Sequence, residues 1–298
     1  MTAITLLDGS IGQELVKRSG DRATPLWSTQ VMMEHPDLVR EVHDSYFAAG
    51  ASVATTNTYA VLRDRLARVD MEHRIADLSD AAITAACAAR DVRGSGRVAG
   101  ALGPLIASYR PDICPPAEKA AALYAEPVRL MAGRVDLLLL ETMSSVDQAE
   151  GALRAATGQG LPVWLAVTVM DEDGARLRSG EPLGDLAAVV ARYAPDAVLI
   201  NCTRPEAVAT GLDLIAGFDK PFGAYANGFT RISDGFLQDA PTVDALEQRG
   251  DMTPAAYCAI AMGWLDQGAT ILGGCCEIGP EHIAELARRL RAAGHTIV

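Results

Sequence analysis

Two adjacent cysteines, Cys275 and Cys276, are the side chains of this 298-residue sequence best suited to bind a metal ion. They follow an apolar run at residues 270–272 and two glycines, Gly273 and Gly274, which allow the backbone to turn sharply. Neighbouring cysteines rarely reach disulfide geometry, so a redox pair is disfavoured. A second alternative is that the two cysteines are simply buried and pack as small hydrophobic residues. Thiolates that point to one spot favour a soft metal ion, and the pair therefore predicts a metal site.

The elements that must position this pair alternate regularly along the chain. Apolar runs typical of buried strands occur near residues 4–7, 51–56, 97–102, 135–140, 163–170, 197–200, 222–227 and 270–272. Helical spacing is found at residues 36–50, 62–92 with a break near 69–70, 118–133, 146–157, 184–193, 205–216, 254–267 and 280–293. Residues 11–35 and 228–252 are predicted to be irregular.

This alternation predicts an α/β protein with a (β/α)8 barrel, or TIM barrel, fold. Continuous apolar strands indicate a parallel sheet that is covered on both faces. A doubly wound open sheet is the alternative, but no Gly-x-Gly-x-x-Gly motif follows a predicted strand. No break in composition divides the chain, so residues 1–298 are predicted to form a single domain.

The active sites of such barrels lie at the carboxyl ends of the strands. The residues at those predicted ends are Asp8, Asn57, Glu141, Cys202, Asn227, Cys275 and Cys276. Cys202 thus adds a third thiol on the same face. The other cysteines, Cys87, Cys114 and Cys258, fall in helical patterns or a proline-rich loop and are interpreted as packing residues. None of the five histidines follows a strand end, so the fourth position on the metal is left for an exogenous ligand.

Three thiolates with an open fourth position predict a catalytic zinc ion, Zn²⁺. The negative charge of the thiolates makes the ion a weak Lewis acid, but it can hold an incoming thiol as a nucleophilic thiolate at neutral pH. Alkyl transfer to a thiol is therefore the predicted reaction class. Asp8 and Glu141 are candidates for binding an ammonium group, and backbone N–H groups near Gly9 and Ser10 for binding a carboxylate.

Structural roles are the alternatives for several of these residues. Asp8 and Asn227 are also typical of turns, and Glu141 at the end of four leucines is also typical of a buried structural charge. For Asn57 and Tyr59 the sequence is compatible both with a structural role in a loop and with a role in binding. The run Arg178-Ser179-Gly180-Glu181 is interpreted as loop and helix-cap chemistry.

The chain resembles the homocysteine S-methyltransferase family, whose members are zinc-dependent (β/α)8 barrels. The resemblance covers nearly the whole chain and is carried by short motifs: Leu7-Asp8-Gly9-Ser10, Leu26-Trp27-Ser28, Thr55-Thr56-Asn57-Thr58-Tyr59, Leu102-Gly103-Pro104, Glu141-Thr142, Asn201-Cys202, Tyr225-Ala226-Asn227 and Gly273-Gly274-Cys275-Cys276. The combination of Asn-Cys with Gly-Gly-Cys-Cys is specific, whereas each short motif alone is not.

The resemblance implies a role for each matching position. Cys202, Cys275 and Cys276 would be the zinc ligands, and Asn227 matches a position that completes the zinc shell in the absence of substrate. Asp8 and Glu141 would hold the amino group of homocysteine, with Gly9, Ser10 and Asn57 as further substrate-binding candidates. The implied product is methionine.

The sequence leaves the methyl donor open. Leu26-Trp27-Ser28 is similar to the branch that uses S-methylmethionine, but residues 228–232 depart from that branch. Betaine, another onium donor, or a separate corrinoid or folate protein are alternatives, as is a zinc- or thiol-binding barrel without catalysis. Trp27 and Tyr59 are the few aromatic candidates for contact with an onium cation.

Composition narrows the partners and the compartment. The formal net charge of −12 argues against nucleic acid or an anionic membrane surface as the main partner. No apolar run reaches the roughly 18 residues of a transmembrane helix, and the first residues lack the basic region of a signal peptide. A cytoplasmic protein is predicted, in which six cysteines indicate metal binding or packing more than disulfides. The sequence leaves a homo-oligomer open.

Overall fold

Parallel strands form the centre of the computed structural model, which describes residues 2–20, 24, 26–233, 235, 237 and 246–298. The strands are β1 (Ala3–Leu6), β2 (Val53–Thr55), β3 (Arg97–Leu102), β4 (Leu137–Met143), β5 (Val163–Val167), β6 (Ala197–Asn201), β7 (Phe222–Tyr225), β8 (Ile271–Leu272) and β9 (Thr296–Ile297). Their order in the sheet is β2-β3-β4-β5-β6-β7-β8-β1-β9. Every one of these pairs is parallel.

The first eight strands close into a ring. Leu7, just after β1, forms a parallel bridge with Val53 of β2. The amide of Ser52 donates to the Leu6 carbonyl at 2.7 Å, and the Asp8 amide donates to the Val53 carbonyl at 3.1 Å. The predicted (β/α)8 barrel is thus confirmed. The short strand β9, which the sequence analysis did not predict, pairs only with the first residues of β1.

Helices cover the outside of the ring. They are α1 (Ile11–Ser19), α2 (Ser28–Glu34), α3 (Pro36–Ala49), α4 (Arg63–Leu66), α5 (Ile75–Arg93), α6 (Ala117–Met131), α7 (Val146–Ala156), α8 (Leu186–Tyr193), α9 (Pro205–Ile215), α10 (Pro254–Asp266) and α11 (Pro280–Ala292). The predicted break near residues 69–70 is confirmed, because Asp70 takes a left-handed conformation with φ 57° between two 3-10 turns. Among the described residues, no helix is long and apolar enough to cross a membrane.

The prediction that residues 11–35 are irregular was wrong. Helix α1 begins after Ser10, whose hydroxyl accepts a hydrogen bond from the Gln13 amide at 3.3 Å, and ends at Gly20 with φ 69°. Helix α2 follows Trp27, which has φ 48°. Both helices are short, and a residue with a positive φ stands at the end of α1 and another just before α2, so the helical spacing is interrupted. The long loop predicted at 228–252 lies partly outside the described residues.

Side chains fill the interior of the barrel. The inward-facing cluster consists of Leu7, Val53, Ala99, Leu137, Leu139, Trp164, Ala166, Ala197, Leu199, Tyr225 and Ile271. A second and larger apolar cluster lies between the strands and the helices. Because both faces of the strands are buried, their sequences are continuously apolar. The filled interior leaves only the rim of the barrel for a binding cavity.

Candidate metal centre and substrate cavity

Three cysteines meet at the carboxyl ends of β6 and β8. The Sγ atoms of Cys202, Cys275 and Cys276 all lie within 4.8 Å of one another. Cys275 Sγ lies 2.9 Å from Cys202 Sγ, and Cys276 Sγ lies 3.6 Å from it. Within the part of the chain that the structure describes, no other group of three histidine, cysteine or acidic residues converges in this way. The three thiols predicted from strand-end positions are thus brought together.

The glycines before the cysteine pair permit close packing at the rim. A Cβ on Gly273 would lie 2.6 Å from Leu7 Cβ, and one on Gly274 would overlap the side chain of Ile278. Neither glycine has a positive φ, so glycine is required at this turn by close packing against Leu7 and Ile278. The Gly274 amide donates to the Asp8 carbonyl at 3.0 Å and fixes this turn against β1.

The donor set fits a metal ion. Tetrahedral zinc with Zn–S bonds of about 2.3 Å places neighbouring sulfurs roughly 3.8 Å apart. The distance of 3.6 Å between Cys202 and Cys276 lies near this spacing, whereas the distance of 2.9 Å between Cys202 and Cys275 is shorter, so a bound ion would move these two sulfurs apart. Cys202 itself has φ 51°, a strained conformation that directs its side chain from the end of β6 toward the other two thiols. The remaining thiols are elsewhere: Cys258 is buried and its Sγ contacts the His282 carbonyl at 3.4 Å.

Hydrogen bonds distribute the charge among the three thiols. Donation from Cys275 and Cys276, with a further bond from the Tyr109 hydroxyl at 2.9 Å, lowers the pKa of Cys202 well below its ordinary value. The same bonds to Cys202 raise the pKa values of Cys275 and Cys276. Before a metal binds, Cys202 is therefore the first of the three to become a thiolate. A bound cation would favour the thiolate form of all three.

A cavity of about 160 Å³ opens directly above the thiols. Its wall includes all three cysteines and the five residues predicted to bind substrate, namely Asp8, Gly9, Ser10, Asn57 and Glu141. It also includes Trp27, Tyr59, Tyr109, Arg65 and Arg68. One chamber therefore joins the candidate metal ligands to polar groups on one side and to aromatic rings on the other.

Asp8 is a buried carboxyl group and Glu141 a half-buried one, and both have few partners. Asp8 accepts hydrogen bonds from the Thr55 amide at 2.6 Å and from the Thr55 hydroxyl at 2.9 Å. Glu141 accepts one from the Tyr225 hydroxyl at 3.0 Å. Burial raises the pKa of Asp8 to about 8 and that of Glu141 to about 8. A cation in the cavity would stabilise the ionised form of both groups.

Two of the other predicted substrate-binding residues already have partners. Asn57 is bound to the start of α2, because the Ser28 hydroxyl donates to its Oδ1 at 2.7 Å and its Nδ2 donates to the Ser28 carbonyl at 3.2 Å. The Ser10 amide, considered for a carboxylate, donates to the Ile278 carbonyl at 3.0 Å. Gly9 packs so tightly that a Cβ would overlap the same carbonyl. These residues therefore shape the cavity wall.

Asn227 lies behind the cysteines and not among the residues that line the cavity. Its Oδ1 accepts a hydrogen bond from the Phe229 amide at 3.2 Å. Its buried Nδ2 has no hydrogen-bond partner among the described residues. The oxygen that a metal would need already accepts one hydrogen bond, and the role of Asn227 as a fourth ligand stays a prediction.

The sequence analysis missed two tyrosines that contact the functional groups. Tyr225, at the end of β7, donates to Glu141, and its strand-end position was a usable indication. Tyr109 lies in the loop after β3; the resemblance to the family includes Ser108-Tyr109, but the sequence analysis assigned Tyr109 no role. Its contact with Cys202 joins residues 93 positions apart, which no local pattern indicates.

Aromatic rings form the outer part of the cavity. Trp27 and Tyr59 meet edge to face, with ring centroids 6.3 Å apart and an interplanar angle of 77°. The Trp27 indole donates to Gln13 Oε1 at 2.8 Å, and the Tyr59 hydroxyl lies 2.8 Å from Ser108 Oγ. The two rings predicted as onium contacts are therefore adjacent and held in place.

The fold and the site define a (β/α)8 barrel with three cysteines at its mouth that could hold a metal ion. A family model described as homocysteine S-methyltransferase matches residues 5–290, and the chain belongs to this family. The homocysteine S-methyltransferase of Escherichia coli K12 is 30% identical over 308 residues, which cover 96% of this chain and 95% of the relative. The homocysteine S-methyltransferase YbgG of Bacillus subtilis 168 is 27% identical and covers 97% of this chain and 95% of its own length.

A solved structure has the same architecture. The metallated form of the Escherichia coli homocysteine methyltransferase MmuM superposes with a TM-score of 0.80 at 28% sequence identity. The match covers 97% of this chain and 96% of the other.

Proposed function

We propose that this protein transfers a methyl group to the thiol of homocysteine and forms methionine, with Zn²⁺ held by Cys202, Cys275 and Cys276. The observation that carries the proposal is the single cavity that joins three converging thiols to the carboxyl groups of Asp8 and Glu141. The family and its named relatives support this activity. The metallated form of MmuM supports a metal in the reaction.

The residues of this chain perform three tasks in the proposed reaction. Asp8 and Glu141 bind the ammonium group and so orient the homocysteine sulfur toward the cysteines. Zinc, when bound, keeps that sulfur as a thiolate at neutral pH. The thiolate lone pair then forms the new S–CH3 bond while the bond between the methyl group and the donor breaks, and its electron pair leaves with the donor. The filled barrel interior beneath the cavity excludes water from below.

The donor that fits the outer cavity best is a small onium compound of the S-methylmethionine kind. Trp27 and Tyr59 both line the cavity, and aromatic rings attract cations through their faces. The Tyr59 ring already has one cation over it, the Arg65 guanidinium, with Cζ 5.5 Å from the ring centroid. Loss of the positive charge in the transfer also makes the neutral product a weaker ligand for those rings. Betaine and a corrinoid or folate protein remain as competing donors.

A donor screen on metal-defined protein tests the proposal. The protein is purified under reducing conditions, its zinc content is measured, and methionine formation is followed with S-methylmethionine, S-adenosylmethionine, betaine or methylfolate. We expect about one zinc per chain and turnover with S-methylmethionine. Cys276→Ser serves as the matched control and should lose most of the zinc and the activity. Zinc-loaded protein without turnover on any donor would instead indicate a binding protein.

A further inference from the structure

Tyr109 lies between the metal cavity and a second, open groove on the protein surface. The residue is 7% exposed, and its hydroxyl donates to Cys202 Sγ at 2.9 Å. The Arg178 guanidinium lies over its ring, with Cζ 4.9 Å from the ring centroid. One phenol thus contacts a candidate metal ligand through its hydroxyl and a cation through its ring.

A buried ion pair holds the arginine in this position. Arg178 Nη2 lies 2.8 Å from Asp171 Oδ1, and Arg178 Nε donates to the Thr168 hydroxyl at 3.1 Å. The two charged side chains are only 11% and 4% exposed. Asp171 also accepts the amides of Arg204 at 3.2 Å and Ile232 at 3.1 Å. Because so many bonds share one carboxylate, Arg178 has little freedom to leave the ring.

The run from Arg178 to Glu181 was interpreted as loop and helix-cap chemistry, which describes Glu181 but not Arg178. Glu181 does cap a helix, since it accepts a hydrogen bond from the Val146 amide at 3.1 Å. Arg178, in contrast, points inward to Tyr109.

The proposed reaction raises a problem of selectivity at the metal. Three protein thiolates and one substrate thiolate are similar nucleophiles at one ion, yet the methyl group must reach only the substrate. A hydrogen bond donated to a thiolate engages a sulfur lone pair and makes that sulfur a poorer nucleophile. A cation over a phenol ring draws electron density from it, which makes the hydroxyl a stronger donor.

We propose that Tyr109 is a selectivity residue that protects Cys202 from alkylation, and that Arg178 and Asp171 are positioning residues for Tyr109. The inference rests on the proposed function, because it requires the three cysteines to bind zinc. In the reaction to be prevented, a Cys202 Sγ lone pair forms an S–CH3 bond while the donor leaves with the electrons of its own methyl bond. The modified ligand would lose its negative charge and its hold on the metal.

Alkylation of the zinc-loaded protein by iodoacetamide tests this inference without any methyl donor. In that reaction the cysteine sulfur forms an S–CH2 bond and iodide leaves with the electron pair of the C–I bond. Labelling of each cysteine is followed by peptide mass spectrometry. We expect Cys202 to react about 10-fold faster in Tyr109→Phe than in the wild type, which corresponds to the loss of one hydrogen bond to a charged group. Cys276 and the buried Cys258 should change less than about 2-fold.

Two further variants separate a specific effect from a loosened fold. Tyr193→Phe removes a hydroxyl that bonds Glu150 on the surface, and it should label like the wild type. Arg178→Lys keeps the positive charge but loses the planar guanidinium, so Cys202 should react at an intermediate rate. Zinc is measured in every variant before labelling.

The outcomes are distinguishable. Wild-type protein that binds no zinc would refute the metal assignment of the proposed function. Zinc-loaded Tyr109→Phe that labels Cys202 at the wild-type rate would overturn the protective role of Tyr109. Equal acceleration at Cys202, Cys276 and Cys258 would also overturn it, since that result indicates a loosened site. Wild-type labelling in Arg178→Lys, beside faster labelling in Tyr109→Phe, would remove the positioning role of Arg178.

Discussion

At the level of single residues, the raised pKa values of Asp8 and Glu141 link the protonation of these groups to cation binding in the cavity. Each carboxyl group has a pKa of about 8 because burial disfavours its charged form. An acid whose pKa is raised in the folded state stabilises the fold fully only below its ordinary pKa. That contribution is lost as the pH rises from about 4 through about 8. At higher pH the two ionised carboxylates therefore lower the free energy of unfolding of the ligand-free protein. A bound ammonium group would offset this loss, because it pairs with the carboxylates.

Glu141→Gln tests this at the level of the residue. For the wild type we expect the KM for homocysteine to fall as the pH rises toward 8, because the carboxyl groups must ionise to bind an ammonium group. The variant should show a KM at least about 10-fold higher at pH 8, with a flatter pH dependence and an unchanged zinc content. Steady-state kinetics with metal analysis checks both quantities. A loss of zinc without a change in KM would mean that Glu141 supports the metal.

The same variant has a second readout in the absence of ligand. Because glutamine cannot ionise, ligand-free Glu141→Gln should lose less stability than the wild type between pH 5 and pH 8.5. Thermal unfolding at both pH values measures the difference. A parallel pH dependence in the two proteins would contradict the raised pKa.

At the level of elements, α1 and α2 hold the aromatic wall of the cavity. Gly12 in α1 packs against Trp27, and a Cβ at this position would overlap the indole ring. The indole is also bound to Gln13, whose Nε2 donates to Glu277 Oε1 at 2.6 Å, next to the cysteine pair. The two helices that the sequence analysis did not predict thus connect the outer cavity to the metal centre.

Gly12→Ala should displace Trp27 and weaken the binding of the methyl donor without affecting that of homocysteine. We expect the KM for an onium donor to rise several-fold, in line with the loss of one cation–π contact. The KM for homocysteine and the zinc content should stay unchanged. Gly263→Ala is the matched control, since a Cβ on this glycine of α10 meets no atom within 4 Å. Equal effects on both substrates would show that Trp27 supports the whole cavity.

Helix α3 carries a buried histidine whose titration should affect stability. Both ring nitrogens of His43 lack a hydrogen-bond partner among the described residues, and burial lowers its pKa to about 4. Between pH 6.5 and 4 the unfolded chain therefore binds a proton that the folded chain does not, so the free energy of unfolding falls as the pH falls. Protonation of the folded protein would also place an unpaired charge on a fully buried side chain.

His43→Leu should remove this dependence. Relative to the wild type, the variant should gain roughly 3 kcal/mol of unfolding free energy as the pH falls from 7 to 4. Urea unfolding at a series of pH values measures the difference between the two proteins. A difference that stays constant with pH would show that the pKa of His43 is the same in the folded and unfolded states.

At the level of the whole molecule, a metal held by the three cysteines would join distant parts of the barrel. Cys202 and Cys275 are 73 positions apart, and they follow strands that flank β7. A ligand that binds only the folded state stabilises it by about 2.7 kcal/mol at 100 times its dissociation constant. A bound metal should therefore oppose opening of this side of the ring.

Removal of the metal should lower the Tm by about 5–10 °C, since roughly 1 kcal/mol shifts the Tm of a large domain by 2–4 °C. Scanning calorimetry with and without a chelator measures the shift. Cys276→Ser should unfold like the chelated wild type and show no shift of its own, while its circular dichroism stays that of a folded α/β barrel. A variant that unfolds without metal would mean that the centre is structural.

Much of the fold follows from local pattern. Runs such as 137–140 and 197–200 are apolar on both faces because the strands are covered inside and outside, and this is visible in the residues themselves. Helices α1 and α2 were missed because Trp27, with φ 48°, separates two short helices whose packing around Gly12 is a tertiary matter. Strand β9 was missed because two residues are too few for a periodic pattern.

The sequence by itself determined which residues reach the rim of the barrel. In a chain that alternates regularly between strands and helices, the carboxyl ends of all strands lie at the same rim. That reasoning placed Cys202 beside Cys275 and Cys276, and Asp8 in the same cavity as Glu141. Only the tertiary structure decided which of these groups are free to bind. The partners of Asn57 and Ser10 come from distant parts of the chain, and the contacts of Tyr109 with Cys202 and Arg178 span 93 and 69 positions (178 − 109). Hydrogen bonds across such separations depend on packed geometry, which local residue patterns do not encode.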